Sequence, residues 1–380
     1  MYRILTLALS TLAVSGAAYG QSNFETQAPH AVIMDAATGE VLFEKDARQP
    51  MAPASMTKIM TAQLVFEALK EGSLSPETEF TVSEEAWRRG GVKSGSSTMF
   101  LNVRSKVSVR DLLKGVIIQS GNDACIVLAE GMAGSEDAFA QKMTDRAREL
   151  GLSSATFKNA TGWPHPEHAI SALDLAKLAN VQIADFPEGY ALYAEPSFTW
   201  NDIKQGNRNP LLGRVTGADG MKTGHTEASG YGVVGSAKRG EDRRIIVING
   251  LDSKSARRDV ATRLMEAAFS QFDVYDLHSQ GDELAEIEVY MGNAPTVSVA
   301  LTTDIRKGLP IADRKNVRSE VVYTASKAPI AKGDVVAKLK ITLPGRPPES
   351  YDLVATTEVK RRGVFARAWT GLLANIRGKS

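Results

Sequence analysis

The runs Tyr231-Gly232-Val233-Val234-Gly235-Ser236-Ala237 and Arg244-Ile245-Ile246-Val247-Ile248-Asn249 read as two short β-strands, and a helical stripe follows them from Ser255 to Phe272. A matching pair stands near the other end of the chain. Ala31-Val32-Ile33-Met34 and Val41-Leu42-Phe43 enclose the turn Ala37-Thr38-Gly39, a hairpin pattern. Between the two pairs the chain is mostly helical: apolar residues at Ile59, Met60, Leu64, Val65 and Leu69 predict a helix from Ser55 to Leu69. Further helical patterns cover Val109 to Gln119, Asp123 to Met132, Ser135 to Leu150 and Ala172 to Ile183. Strands at both ends of a helical middle predict one α/β domain whose sheet, flanked by helices, is built from its two termini.

Length and composition bound this reading. The chain has 380 residues, 43% hydrophobic and 23% charged, enough for a sizeable core and for two domains or slightly more. A formal net charge of +1 gives no field of one sign, so nucleic acid is not an expected partner. The single cysteine, Cys125, excludes an intramolecular disulfide framework, a zinc ribbon and an iron–sulfur cluster.

The N-terminus reads as a secretory signal peptide over residues 1–20. Arg3 supplies the charge, Ile4 to Val14 the short apolar stretch and Ser15-Gly16-Ala17-Ala18 the small residues, with cleavage after Gly20 or Ala18. The α/β domain then spans 21–277. Beyond the polar stretch His278 to Glu283 the pattern changes to alternation at Ile287, Val289, Met291 and at Val297, Val299, Leu301, which predicts a smaller all-β domain over 284–357. Residues 359–380 close the chain with Val364, Phe365, Ala368, Trp369, Leu372, Leu373 and Ile376 at three-and-four spacing, and the charged residues among them are all basic. That pattern predicts an amphipathic helix lying in a membrane surface, the alternative being a helix docked on the second domain.

Chemistry enters at Ser55-Met56-Thr57-Lys58, where a hydroxyl and an amine stand one helical turn apart. A serine becomes a strong nucleophile when a base takes its proton, and a lysine is that base once burial or a neighbouring cation leaves it partly neutral. On its own the tetrapeptide also reads as a helix cap. Ser120-Gly121-Asn122 and Lys222-Thr223-Gly224 follow in order, adding a second hydroxyl to pass protons, a carboxamide for a substrate carbonyl and a strand-borne cation that favours an anionic substrate. Gly224 would let a substrate backbone approach the strand edge.

With Pro53-Ala54-Ser55-Met56-Thr57-Lys58, Gly95-Ser96-Ser97, Gln119-Ser120-Gly121-Asn122-Asp123-Ala124, Asn207-Arg208-Asn209 and Gly220-Met221-Lys222-Thr223-Gly224-His225-Thr226, the chain resembles the penicillin-binding D-alanyl-D-alanine carboxypeptidases over nearly its whole mature length. The resemblance implies a β-lactamase/transpeptidase-like α/β fold and a two-step acyl transfer without cofactor or metal. Ser55 attacks between two D-alanines and Lys58 takes its proton. Ser120 and Lys222 relay it to the leaving amine, Asn122 holds the substrate amide, and the N–H groups of Ser55 and His225 form the oxyanion hole. Arg208 and Thr223 bind the terminal carboxylate, with Ser97 and Gly224 also at the substrate. The implied partners are the D-Ala-D-Ala end of peptidoglycan stem peptides and β-lactams as covalent inhibitors. With the leader and the basic tail, this places the protein in the periplasm, held on the outer face of the inner membrane by residues 359–380.

Other residues carry less. His165-Pro166-Glu167-His168 lacks zincin spacing, and Pro166 disfavours a regular helix through it. Gly230-Tyr231-Gly232-Val233-Val234-Gly235 satisfies a dinucleotide pattern but sits in a strand. Glu167 stands where serine β-lactamases carry a deacylating glutamate, without the motif that accompanies it, so fast β-lactam hydrolysis is not expected. An endopeptidase of the same fold, or a scaffold that keeps the cleft, are the competing readings; intact Ser55, Lys58 and Lys222 speak against the scaffold.

Overall fold

The structure, a computed structural model, describes residues 3–7 and 24–363, and these divide into two compact units, one of residues 24–273 and one containing residues 274–363 and the N-terminal strand. In the larger unit five antiparallel strands, β1 (His30–Asp35), β2 (Val41–Lys45), β3 (Ala218–Thr226), β4 (Gly230–Arg239) and β5 (Asp242–Leu251), form a sheet in the order β3-β4-β5-β1-β2. The β5–β1 pairing, with Val247 opposite Val32 and Ile248 opposite Ala31, joins the two ends of the domain as expected. The sequence run Gly230 to Gly235 is part of β4, not a phosphate-binding turn.

Ile245, Ile246, Val247 and Ile248 are all fully buried, because the sheet is covered on both faces. Ile245 and Val247 belong with Val32, Met34 and Val234 to the large helical core. Ile246 and Ile248 point the other way by strand alternation, and the helix α5 (Lys254–Ser270) packs on β4 and β5. The helical layer contains α1 (Lys58–Lys70), α2 (Asn122–Ala133), α3 (Glu136–Glu149) and α4 (Ala172–Asp185). Serines start several helices by accepting a backbone N–H three residues on: Ser135 from Ala138, Ser171 from Asp174 and Ser253 from Ala256. The stripe read to Phe272 stops at Ser270; Phe272 begins the strand Phe272–His278.

The smaller unit is all-β, with a seven-stranded sheet and a core of Ile287, Val297, Val299, Val321, Leu339 and Leu353. Its alternation is the one expected. Residues 359–363, read as the start of the terminal helix, belong to this β unit instead: Val359 bridges Ile330, Arg361 bridges Gly292, and both Arg361 and Arg362 donate to carbonyl oxygens of the unit. The rest of the expected helix, 364–380, lies outside the described residues. So does most of the expected leader, although Arg3–Leu7 pairs as a strand with Arg318–Tyr323.

One buried ion pair ties β1 to β5. Arg244 donates to the Asp35 carboxylate, both side chains being about 95% removed from solvent, while its Nε donates to the Ala268 carbonyl at 3.3 Å and so reaches α5. Asp35→Ala removes the buried counter-charge of that guanidinium and leaves it only the half-exposed Asp273 carboxylate at 3.8 Å. It should lower the unfolding free energy of the larger unit by roughly 3 kcal/mol in urea titration, and a loss below about 1 kcal/mol would contradict this role.

Candidate active site

The segment Ala54–Thr57 forms a tight 3-10 turn that runs into α1. Ser55 therefore sits inside the turn and caps nothing, which removes the plain capping reading of this serine. Its neighbour Ala54 holds a left-handed backbone (φ 48°), a strained conformation for alanine. Lys58 lies one turn on and is 1% exposed. Its Nζ stands 3.0 Å from Ser55 Oγ, 2.7 Å from Asn122 Oδ1 and 2.6 Å from the Thr161 carbonyl oxygen. The last two are pure acceptors. A neutral amine has two N–H bonds, so donating both to them leaves its lone pair for the Ser55 hydroxyl. Burial lowers the Lys58 pKa to about 8, with the Arg208 cation adding to the effect and Cys125 and Asp123 opposing it.

Two buried side chains hold these acceptors in place, and both escaped sequence reading. Asn159 Oδ1 accepts from the backbone N–H groups of Thr161, Gly162 and Trp163, folding the loop that presents the Thr161 carbonyl. Asp123 accepts from the Thr98 hydroxyl at 2.6 Å and from the N–H groups of Met99 and Leu101, fixing the 96–101 segment beside α2. Asp123 directly follows Asn122, and Asn159 opens an Asn-Ala-Thr-Gly turn; both look like punctuation in a lone sequence.

Ser120 reaches the site by an unusual route. A π-helical turn, Gly115–Gln119, ends at Ser120 in a left-handed conformation (φ 61°, ψ 32°), and α2 begins two residues later. Gly121 between them admits no side chain, because a Cβ would stand 2.9 Å from Asp123 Oδ1 and 3.0 Å from Met99 N. Lys222, 2% exposed on β3, donates to Ser120 Oγ at 2.9 Å and to the Thr223 carbonyl at 3.2 Å. Burial, then the Lys58 and Arg208 cations, hold the Lys222 pKa well below that of an ordinary lysine. Asn122 completes the link, its Nδ2 donating to Ser96 Oγ at 3.0 Å.

Ser55, Ser97, Ser120, Arg208, Thr223, Gly224 and His225 line one cavity of about 450 Å³, so the residues singled out in the sequence converge. Arg208 donates to Ser97 Oγ at its rim. The sequence did not reveal Tyr231, Lys254 and Arg257, which also line it. His225 stacks on Tyr231 with ring centres 3.8 Å apart, and Arg257, on α5, lies over the same tyrosine at 5.7 Å. Gly224 also lies close against the nucleophile turn. A Cβ there would come within 2.7 Å of the Pro53 carbonyl oxygen and 3.2 Å of Ala54 Cβ. The glycine thus lets β3 pack against the turn that carries Ser55.

The side chains of lesser promise fall elsewhere. His168 is buried; its Nδ1 accepts from Lys158 N–H at 3.1 Å, so its Nε2 donates to Thr57 Oγ1 at 2.8 Å, and burial pulls its pKa down to about 4. Glu167 is exposed and paired with Lys158 at 3.0 Å. Among the described residues no group of three His, Cys, Asp or Glu could hold a metal. Cys125 is fully buried, and burial pushes its thiol up to about 12.

A serine beside a buried lysine whose lowered pKa leaves part of its amine neutral, across a cleft rich in cations, defines a serine acyl-transfer enzyme for anionic substrates. Comparisons with known proteins narrow this. A family profile described as D-alanyl-D-alanine carboxypeptidase matches residues 17–253, and one described as penicillin-binding protein 5, C-terminal domain, matches residues 272–361. The chain is 34% identical to the D-alanyl-D-alanine carboxypeptidase DacA of Haemophilus influenzae, covering 98% of this chain and 96% of that one. It is 37% identical to DacC of Escherichia coli, covering 89% and 86%. The crystal structure of DacD from Francisella tularensis superposes with a TM-score of 0.81 at 31% identity, covering 92% and 98%. The chain belongs to the D-alanyl-D-alanine carboxypeptidase family of serine-type, penicillin-binding hydrolases.

Two outcomes follow from this geometry. Because the neutral amine is the active form, kcat/KM should rise tenfold per pH unit at low pH and level off above about 8, the Lys58 value; a profile flat from pH 6 to 9 would contradict it. Gly224→Ala should displace the Ser55 turn and slow acylation by a β-lactam by about 100-fold, measured by stopped-flow fluorescence.

Proposed function

We propose that the enzyme removes the terminal D-alanine from peptidoglycan stem pentapeptides through an ester on Ser55, with the site residues in the following roles. The Ser55 proton passes to Lys58 Nζ as Oγ bonds to the carbonyl carbon between the two D-alanines. The resulting oxyanion accepts hydrogen bonds from the N–H groups of Ser55 and His225. Ser55 is the second residue of its turn, where helical geometry offers its N–H no partner of its own. Collapse of this intermediate breaks the C–N bond, and Ser120, with Lys222 behind it, delivers the proton to the leaving amine. Water then hydrolyses the ester. The observation that carries this reading is the placement of Lys58 Nζ between Ser55 Oγ and two acceptors that take up both N–H bonds of the neutral amine.

Arg208 and Thr223 bind the terminal carboxylate of the substrate, which favours chain ends over internal bonds. Asn122 holds the substrate amide, and Ser97 shapes the cleft beside Arg208. β-Lactams acylate the same serine. Residues 1–20 direct export and the basic amphipathic stretch 364–380 holds the enzyme on the outer face of the inner membrane, in the periplasm. No helix among the described residues is long and apolar enough to cross a membrane.

Ser55→Ala should leave the fold intact and abolish both D-alanine release and the penicillin mass shift; a covalent adduct on the variant would refute the assignment. Arg208→Ala should lower kcat/KM for a D-Ala-D-Ala peptide about thirtyfold, the loss of roughly 2 kcal/mol from one charge-assisted bond. Amidating the peptide's carboxylate should cost the wild type more than the variant, and equal losses would remove Arg208 from this role. Deleting 364–380 should yield an active enzyme that no longer sediments with anionic vesicles.

A further inference from the structure

The catalytic cleft holds more positive charge than the mechanism uses. No acid lines it; Lys58 and Lys222 serve Ser55 and Ser120, and Arg208 takes the terminal carboxylate. Two lining cations remain: Lys254, which opens α5, and Arg257, one turn on. Arg257 is only 8% exposed, and its buried Nε has no hydrogen-bond partner. Arg244, the other buried arginine among the described residues, is matched by Asp35, whereas neither Arg257 nor Lys254 pairs with a carboxylate among those residues. A buried cation without a counter-charge costs stability, so its counter-charge is to be sought in what the cleft binds. The side chain is nonetheless held in place. Its guanidinium lies 5.7 Å from the Tyr231 ring centre, that ring stacks on His225 at 3.8 Å, and the Arg257 N–H donates to the Ser253 carbonyl at 3.0 Å.

Which part of the substrate meets these cations follows from the roles of their neighbours. With the reacting carbonyl at Ser55 and the terminal carboxylate at Arg208 and Thr223, the leaving residue lies among the side chains that bind that carboxylate. Its own side chain branches from the same Cα. In D-alanine this is a methyl group, which offers a cation nothing; in D-aspartate or D-glutamate it carries a second carboxylate one or two methylenes away. Burial lowers the Arg257 pKa, Tyr231 opposing and the Arg208 cation adding to it, so the two guanidinium groups repel and a second anion relieves both. We propose that Lys254 and Arg257 form a second anion subsite, which takes an acidic side chain on the leaving D-residue and extends the enzyme to peptides ending in D-Ala-D-Glu or D-Ala-D-Asp. This rests on the carboxypeptidase reading of the cleft. The chemistry keeps its balance: the acyl group passes to Ser55 and then to water, and the acidic D-amino acid leaves with the proton on its amine. Arg257 offers a carboxylate the paired N–H groups of a planar fork, and Lys254 a point charge at the mouth.

The test is steady-state release of the terminal residue from diacetyl-L-Lys-D-Ala-D-Ala and from its analogues ending in D-Glu and D-Gln. D-Gln matches D-Glu in size and shape and lacks the charge. In kcat/KM the wild type should favour the D-Glu peptide over the D-Gln peptide about tenfold or more. Arg257→Gln, which removes the buried cation, should bring these two within about twofold of each other. Lys254→Gln, at an exposed position that does not threaten the fold, should reduce the ratio about threefold. Intact-mass detection of a penicillin adduct on each variant separates a lost subsite from a damaged catalytic centre. A wild-type ratio near or below one would overturn the subsite, as would release of D-alanine alone or a ratio unchanged in both variants. Release from none of the three peptides by the wild type would instead overturn the carboxypeptidase reading on which it rests.

Discussion

Lys58 carries its amine where water does not reach, and the catalytic domain is arranged around the consequence. Desolvation disfavours the ammonium form, and none of its three hydrogen-bond partners is a carboxylate that would restore it. The Arg208 cation pushes the same way, against Cys125, Asp123 and Glu136. In the proposed mechanism a base for Ser55 is obtained without histidine, because a lysine has been moved to about 8 by its surroundings. The same burial makes the site dependent on its acceptors: shift the Thr161 carbonyl or the Asn122 carboxamide, and the lone pair no longer faces the serine.

That dependence explains polar groups that do not line the cavity. Asn159 folds the Thr161 loop, Asp123 pins the 96–101 segment beside Asn122, and Glu136 accepts from Ala160 N–H at 3.1 Å just ahead of Thr161. Glycines serve the same end. At Gly162 (φ +83°) a Cβ would run into the Ala54 carbonyl oxygen, and at Gly224 into that of Pro53, so the nucleophile turn is clasped from two sides by backbone that carries no side chain. Strain at Ala54 and Ser120 is tolerated because this surrounding frame over-determines their positions.

Much of this was legible in the residues. The strand pairs at the two ends of the domain, the helical middle and the alternating β unit all carry periodicities set by burial, and the structure places them where those periods say. The catalytic triplets were legible because serine, lysine and asparagine at helix and strand starts are chemically conspicuous. Asp123 and Asn159 were not, since a buried polar side chain that organises a loop has the same local sequence as one that merely turns it. Tyr231, Lys254 and Arg257 were hidden for another reason: they come to the cleft through the β4 hairpin and the start of α5, and only the tertiary fold brings them there. The packing role of Gly224 was hidden because its neighbour in space, the Pro53–Ala54 turn, is remote in sequence.

The central claim is the protonation state of one amine, and it can be observed directly. Lysine labelled with ¹³C at Cε, with the Lys58 resonance assigned by its loss in Lys58→Arg, would be titrated by NMR in the resting enzyme. The account predicts a midpoint near 8 for that resonance. A Lys58 that stayed fully protonated to pH 10 would contradict it and leave Ser55 without its base.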